Sequence, residues 1–441
     1  MSNRKNFPSV LVSVAAGENR RYRRVLEEQI LTVLAGRPQR FCEIVPQGGG
    51  AFPTELATAL SHLVEKGYIT QRGDRYSLAP KMTATYRRLP NSSDFPQSRL
   101  YSQPRRPPHS RKMTLPDPHP ADYDWRFTGT ALHALAQLLH PLKVRRSRVA
   151  LLGAPSLFLR LADIGANATL FDRNQSLIAD FQKAGFQKNA IKQDMFIKLA
   201  GNIGDFDVAV ADPPWYLEFY EAFIARASQL LCDHGLFLLS MLPWLTRPSA
   251  IHDRTEILRF ADKAGFQLIQ VLPEFLQYET PYFEKVALHH HGIDCGAWRK
   301  ADLFLFVKVQ PVRISASRIP KPDHEEWDDF RFENRIIKLK RTKHNSSGPF
   351  SYRPVADESP FLRTVSRRWP HRPLIDVWTS DNEAYVVHGL GILRTALQLL
   401  PRTANIPRAV SLVTTRFSMT SKSSKALSEL LRKLIRPRIS V

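Results

Sequence analysis

The residues best suited to chemistry stand together at Asp212-Pro213-Pro214-Trp215-Tyr216. An exocyclic amine on a heteroaromatic ring is a poor nucleophile because its lone pair is delocalised into the ring. A carboxylate accepting one of its N–H bonds, with a backbone carbonyl accepting another, draws the nitrogen toward tetrahedral geometry and frees that pair. Asp212 supplies the carboxylate. The two prolines fix the backbone and carry no N–H, which leaves carbonyls aimed at the donor. Trp215 and Tyr216 offer flat faces on which a flipped base can stack. The competing reading is an ordinary strand-to-helix turn that contains two prolines.

Such a loop must be held by regular elements, and the surrounding pattern supplies them. Asp207 to Ala211 is a short apolar strand running straight into the loop, and Tyr216 to Leu231 is an amphipathic helix leaving it. In an open α/β sheet, ligands bind just past the carboxyl ends of strands. From Tyr123 to about Val309 helices and strands alternate. A helix at Gly129–Leu142 leads to a strand at Arg148–Leu152, a helix at Ser156–Ala162, a strand at Ala168–Phe171 and a helix at Ser176–Ala184. Beyond the loop come a strand at Leu236–Ser240, a helix at Ile251–Ala264, and strands at Phe266–Val271 and Asp302–Val309. Strands separated by helices of this length predict a parallel, doubly wound, Rossmann-like sheet over residues 121–309. Thr169-Leu170-Phe171-Asp172 ends a strand with a carboxylate, where an acid accepts hydrogen bonds from ribose hydroxyls. A solvated turn residue is the alternative for Asp172.

The Asp212–Trp215 segment resembles the Asp-Pro-Pro-aromatic motif of class I S-adenosylmethionine-dependent amino-methyltransferases, especially the adenine-N6 type. The nucleotide half, Leu151 to Asp172, precedes the Pro-Pro loop. That order is similar to the unpermuted DNA amino-methyltransferases and opposite to the RNA adenine enzymes of the same motif class. The arrangement from about Arg21 to Val309 also resembles branched-chain polyamine synthases, which join a winged helix to an Asp-Pro-Pro domain and transfer aminopropyl groups. The resemblance implies S-adenosyl-L-methionine as donor, and a reversed hairpin edge to the sheet. It implies Gly153 beside the donor's amino-acid end, Asp172 on its ribose and Asp194 near its adenine amine. Trp125 and Arg126, just before the first helix, are in place to pack adenine and bind a carboxylate, or simply to pack. Tyr278 to Glu284, in an insertion after a strand, is a candidate wall of the acceptor pocket.

The donor loop departs from both families. Gly153-Ala154-Pro155-Ser156 has one glycine where methyltransferases show several, and no run of acids to hold a cationic aminopropyl group. The loop therefore argues against aminopropyl transfer. It also leaves open a scaffold that has lost its donor site.

Residues 21–80 read as helix, helix, helix and hairpin. Arg23 to Leu34, Phe41 to Val45 and Thr54 to Lys66 precede two short strands flanking Arg72-Gly73-Asp74. This order resembles a winged helix-turn-helix, in which Thr54–Lys66 enters a major groove and Arg72 and Arg75 touch phosphates. A dimerisation or docking module is the alternative. Residues 81–120 are rich in proline and basic pairs and read as a linker or strap. Residues 310–441 form a basic, small accessory α/β region. There Val377-Trp378, Tyr385-Val386-Val387 and Val410-Ser411-Leu412-Val413 read as strands, and Gly391–Leu400 and Ser423–Ile435 as helices.

Bulk properties restrict the class of protein. Lys and Arg number 63 against 41 Asp and Glu, a net charge of +22 with pI near 10.1. Such an excess favours polyanions through counterion release, so nucleic acid, DNA or RNA, is the expected partner. A solubilising surface, or acidic protein partners met through the winged helix or the C-terminal region, would also use it. Three isolated cysteines, Cys42, Cys232 and Cys295, show no zinc or disulfide pattern and suit a reducing, cytoplasmic setting. No secretory leader or membrane span is expected. His289-His290-His291 reads as a strand whose side chains alternate faces, so no metal is expected. These features together predict an N-methyltransferase acting on an amino group of nucleic acid, with adenine N6 the expected target. The alternatives are a relative of the polyamine synthases and a catalytically silent nucleic-acid-binding subunit.

Overall fold

The computed structural model describes residues 9–86, 113–140, 147–199, 204–310, 326–332, 335–341, 349–356, 359–403 and 405–436. The chain forms two units. The first comprises Met1–Thr114, Arg126–Glu279 and Cys295–Lys321, and the second Leu115–Trp125, Thr280–Asp294 and Pro322–Val441.

The first unit begins with α1 (Ser9–Leu34), β1 (Gln39–Arg40), α2 (Phe41–Ile44) and α3 (Pro53–Glu65). A hairpin of β2 (Ile69–Arg72) and β3 (Arg75–Leu78) follows, then α4 (Pro80–Tyr86). Proline opens α3, where its missing N–H costs nothing. Leu56, Ala59, Leu60 and Leu63 recur at helical spacing and are buried with Leu26, Ile30 and Leu34 of α1. Gly73 takes a left-handed φ of 61° at the hairpin turn. The strands pair antiparallel in the order β1-β3-β2. Within the stretch read as linker, α4 buries Tyr86, and the rest of that stretch up to residue 112 lies outside the described residues.

The central sheet uses α5 (Gly129–Leu139), β4 (Val149–Leu152), α6 (Pro155–Asp163), β5 (Ala168–Asp172), α7 (Gln175–Lys183), β6 (Ala190–Lys192) and β7 (Phe206–Ala211). It continues with α8 (Leu217–Leu230), β8 (Leu231–Met241), α9 (Ala250–Lys263), β9 (Phe266–Gln277), α10 (Tyr282–His289) and β10 (Lys300–Lys308). Every residue of β4 is buried, as expected of a central parallel strand covered on both faces. The seven strands run β6-β5-β4-β7-β8-β10-β9, with β10 antiparallel to both neighbours and the remaining pairs parallel. This mostly parallel mixed α/β sheet is Rossmann-like, with one reversed strand, β10, next to its edge. Thr128 caps α5 through Ala131 N, and Asn174 caps α7 through Leu177 N.

The second unit contains α10 and a sheet of β11 (Trp327–Phe332), β12 (Arg335–Lys340), β13 (Ser351–Pro354), β14 (Val377–Thr379) and β15 (Ala384–His388), in the order β11-β12-β14-β15-β13. All its pairings are antiparallel. Helices α11 (Leu390–Thr403), α12 (Ile406–Phe417) and α13 (Ser421–Ile435) bury Leu393, Leu397, Val413, Leu427 and Leu431 in one core with Ile337, Leu339 and Val377.

Two expectations are corrected here. Val410–Val413 belongs to α12, not to a strand, because Asn405 caps a helix through Arg408 N and Ala409, Val410 and Val413 form one buried helical stripe. His289 ends α10, so the three histidines follow a helix terminus and do not alternate along a strand. Among the described residues no three His, Cys, Asp or Glu side chains gather as metal ligands, and no helix is long and apolar enough to cross a membrane.

Candidate active site

The strand order reverses between β4 and β7, which makes their carboxyl ends the switch point where an open α/β sheet leaves a crevice. Gly153 follows β4, Asp172 ends β5 and Asp212 follows β7. Register ties the three into one row: Leu152 faces Phe171 on one side and Ala211 on the other. Gly153 N donates to Phe171 O at 3.0 Å, and Asp212 N donates to Leu152 O at 3.0 Å. Strands sit about 4.8 Å apart, so Asp172 and Asp212 are separated by about 10 Å of crevice with Gly153 between.

The Gly153 side is small. Only Gly153 and Ala154 separate β4 from α6, and Ala154 and Pro155 are buried. Gly153 has φ +65°, and a Cβ there would stand 3.1 Å from Phe223 and 3.3 Å from the Asp212 carbonyl oxygen. Glycine is therefore required both by the left-handed backbone and by the close approach of the acceptor loop. The two acids on this side are held alike. Asp172 Oδ1 accepts from Asn174 N at 2.8 Å, and Asp194 Oδ1 accepts from Phe196 N at 3.0 Å. Each carboxylate is pinned by the backbone two residues on, in an Asx turn. Buried Arg226 of α8 steadies the second turn by donating from Nε to Met195 O at 2.9 Å. Its guanidinium is lowered from the usual value by burial, partly offset by Asp194.

The Asp212 side is an ordered polar relay. Tyr278, one residue past β9, donates its hydroxyl to Asp212 Oδ1 at 2.7 Å. Ser240 Oγ lies 2.7 Å from the same hydroxyl oxygen and, since Tyr278 spends its one proton on Asp212, must be the donor there. Burial, and then the Asp212 carboxylate, hold the Tyr278 phenol well above its usual pKa, so it remains a donor. Nearby, the buried Tyr220 hydroxyl accepts from Leu242 N at 2.8 Å, fixing the chain just past β8. Pro213 is buried, whereas Asp212, Pro214, Trp215 and Tyr216 are half-buried. Pro214 O accepts from Tyr216 N at 2.7 Å, so its carbonyl is engaged within the loop.

Arginines flank the two aromatic residues of the loop. Trp215 meets Tyr278 edge-on at 5.9 Å, and the Arg299 guanidinium lies 5.0 Å from the Trp215 ring and 5.1 Å from that of Trp298. Phe52 of the N-terminal helices packs edge-on against Trp298 at 5.7 Å. Arg247 lies 5.7 Å from the Tyr216 ring and is bound to Asp253 at 2.7 Å. The N-terminal helices also touch the loop after β8. Leu245 N donates to Gly49 O at 3.0 Å, and the Tyr22 hydroxyl donates to Leu245 O at 3.0 Å.

The two residues ahead of α5 part company. Arg126 belongs to a backbone bridge in which Phe127 pairs with Tyr278, Thr128 N donates to Gln277 O, and Glu279 N donates to Arg126 O. It therefore stands beside Tyr278. Trp125 belongs to the second unit, where it meets Phe283 edge-on at 6.2 Å. Ser240, Tyr220, Arg299 and Phe223 carry no motif that marks them in the sequence. Ser240 reads as the end of an apolar strand, and only the register of β8 against β7 brings it to Asp212.

No protein-family model and no curated protein matches this chain. Solved structures are similar at low identity. The C9 mutein of branched-chain polyamine synthase from Thermus thermophilus, in complex with N4-aminopropylspermidine and 5'-methylthioadenosine, is 14% identical, with 72% of this chain and 97% of that chain covered and a TM-score of 0.49. An RNA methyltransferase candidate from Pyrococcus horikoshii is 17% identical over 46% of this chain and 94% of its own, with a TM-score of 0.33. A TehB-like SAM-dependent methyltransferase from Corynebacterium glutamicum is 14% identical over 40% and 86%, with a TM-score of 0.29. These likenesses concern the fold.

Proposed function

We propose that this chain is a methyltransferase that takes a methyl group from S-adenosylmethionine and places it on an exocyclic amine of nucleic acid, with adenine N6 as the target. The observation that carries this reading is a carboxylate, Asp212, fixed by a buried tyrosine at the switch point of a Rossmann-like sheet. Asp212 accepts an N–H of the amine, and the Tyr278 hydrogen bond stops the carboxylate from rotating away. A flipped base stacks against Trp215 or Tyr216. Asp172 and Asp194 fit ribose hydroxyls and an adenine amine, since both are acids held rigidly at the carboxyl edge. Gly153 lets the Asp212 loop lie close against the end of β4, where the donor would sit. The donor would supply an electrophilic methyl carbon on a sulfonium: the amine nitrogen forms the new bond, the carbon–sulfur bond breaks to a neutral thioether, and the proton then lost from nitrogen passes to solvent water. Alignment of the two reactants supplies much of the rate.

The test is calorimetric titration with S-adenosylmethionine, followed by methyl transfer to adenine-containing DNA and RNA. Asp212→Ala should abolish turnover while donor binding survives, and unchanged turnover in that variant would sink the mechanism. A second reading is favoured by the two-residue turn after β4, whose Ala154, like Pro155 at the start of α6, is buried and apolar. It is a silent nucleic-acid-binding subunit with no donor, and absence of donor binding at millimolar concentration would select it. The same turn speaks against aminopropyl transfer, because it presents no acid to a cationic amine.

A further inference from the structure

We infer that the outer face of α12 and α13 in the second unit is a binding surface for the phosphate backbone of nucleic acid. It rests on the reading above for the class of acceptor and deepens it by giving the polyanion a place to lie. Both helices bury an apolar stripe in the same core, Ala409, Val410 and Val413 from α12 and Leu427, Leu430, Leu431 and Leu434 from α13. They are joined by a short turn, and Thr414 and Ser424 hydroxyls bond across them at 2.8 Å. Their opposite faces therefore form one outer layer.

That layer is basic. Arg408 and Arg416 of α12, and Lys422, Lys425 and Arg432 of α13, are exposed and make no ion pair among the described residues. Between Leu390 and Arg436 the lone acid is Glu429, which is already bound by Lys433 at 2.8 Å. Exposed Ser411, Ser418 and Ser421 stand among these cations as short hydroxyl donors, the mixture that phosphate contacts use. Arg408 and Arg416 are eight residues apart, about 12 Å along a helix. DNA repeats its phosphates every ~3.4 Å per strand along the axis, so each helix spans several.

A nucleic-acid backbone suits this face better than a lipid surface does. An interfacial helix must offer a continuous apolar stripe to the bilayer. Here both stripes are spent on the core, leaving exposed, of the large apolar side chains, only Leu412 and Phe417 of α12 among the cations. The N-terminal α3, read from sequence as the groove-entering helix, is a weaker candidate for phosphates. It exposes Thr58, Ser61 and Glu65 and has no Lys or Arg before Lys66. On the wing, Arg75 lies 3.8 Å from Glu43.

The experiment uses the full chain and a fluorescein-labelled duplex and single strand of mixed sequence, followed by anisotropy across about 50 to 200 mM salt. The triple variant Arg408→Gln, Arg416→Gln, Lys422→Gln should bind about tenfold or more weakly. Its slope of log affinity against log salt should be shallower by about 2 to 3, one phosphate per cation removed. The double variant Arg408→Lys, Arg416→Lys, with Lys422 kept, should retain most of the affinity. Unchanged affinity and slope in the glutamine variant would overturn the proposal. So would binding to phosphatidylserine vesicles in preference to either nucleic acid. Donor titration of the same variant separates the two readings: it should be unaffected, and a chain that binds duplex through this face yet binds no donor refutes only the methyltransferase.

Discussion

The Tyr278 hydroxyl donates to Asp212 Oδ1 at 2.7 Å and is itself backed by Ser240 at 2.7 Å. Three strand ends, those of β7, β8 and β9, thus meet at one carboxylate. The direction of the bonds is set by proton supply: serine gives to tyrosine, and tyrosine gives to aspartate. Asp212 is a pre-set acceptor, which is what an amine with two N–H bonds and a delocalised lone pair requires.

Tyr278→Phe removes the proton that holds Asp212 and leaves the Ser240 hydroxyl facing a ring edge. Turnover should fall by about 100-fold, the lower end of what losing one positioned hydrogen-bond donor costs, with donor affinity unchanged. Stability should drop by about 1 to 2 kcal/mol from the buried group left unsatisfied. Steady-state kinetics beside calorimetry of donor binding checks this; a parallel loss of donor affinity would place Tyr278 in folding and not in orientation. Because the phenol is held well above its usual pKa, wild-type activity should show no loss from tyrosine ionisation as pH rises to about 10.

Gly50→Ala should loosen the attachment of the N-terminal helices. Gly50 has φ +87°, and an added Cβ would lie 2.5 Å from Cβ of Pro243 in the loop after β8. Left-handed backbone costs about 1 to 2 kcal/mol for a non-glycine residue, and overpacking adds about 1 to 3 kcal/mol. Thermal unfolding should show a lowered midpoint. Gly73→Ala makes the comparison, since a Cβ there meets nothing within 4 Å and carries the backbone cost alone.

The second unit should weaken in mild acid through His119. Its ring is buried, with Nε2 2.9 Å from Trp378 O and Nδ1 accepting from Ala121 N at 3.1 Å. Burial, with Lys338 next, pushes its pKa well below 6.5, while the Trp378 carbonyl opposes the shift. The folded ring stays neutral where the unfolded ring takes a proton. Stability is therefore fully present above the unfolded value near 6.5 and falls below it, by up to about 1.4 kcal/mol per pH unit, until the folded pKa is reached. Denaturant midpoints at pH 7.5 and about pH 5 should diverge in the wild type and converge in His119→Gln; equal divergence in both would assign the effect to other groups.

Arg335→Met should be severe for the same unit. Arg335 joins Asp381 at 2.6 Å and Glu383 at 3.2 Å, with all three residues buried. Removing the cation strands the buried Asp381 carboxylate, while Glu383 keeps Arg436 at 2.6 Å and the Tyr385 hydroxyl at 3.0 Å, at a cost of about 3 to 5 kcal/mol. Adding Asp381→Asn to the variant should restore part of the loss in chemical denaturation; no recovery would mean that the arginine acts through packing.

The sheet was legible because its strands are buried on both faces and read as unbroken apolar runs, Val149–Leu152 and Val208–Ala211 among them. The Asp212 loop was legible because two prolines and an aromatic pair punctuate a strand end. Ser240 and Arg299 were not, since their roles come from register between strands far apart in sequence. Val410–Val413 misled because four residues of apolar character fit either period, and the deciding signal was the Asn405 cap just ahead of them. Tyr278 was visible only as part of an aromatic insertion. Its tie to Asp212, 66 residues away, depends on how far β9 extends, and that strand runs to Gln277 where the apolar pattern had ended at Val271.

The partition of the chain carries a consequence for how the second unit could be removed. The second unit is assembled from three separated pieces, so the backbone passes between the units at 114/115, 125/126, 279/280, 294/295 and 321/322. A domain appended at one point can be gained, lost or exchanged by a single genetic joining event. A unit whose segments alternate along the chain with its neighbour's cannot be removed by one cut: deleting it also takes away Thr280–Asp294, the connection between β9 and β10.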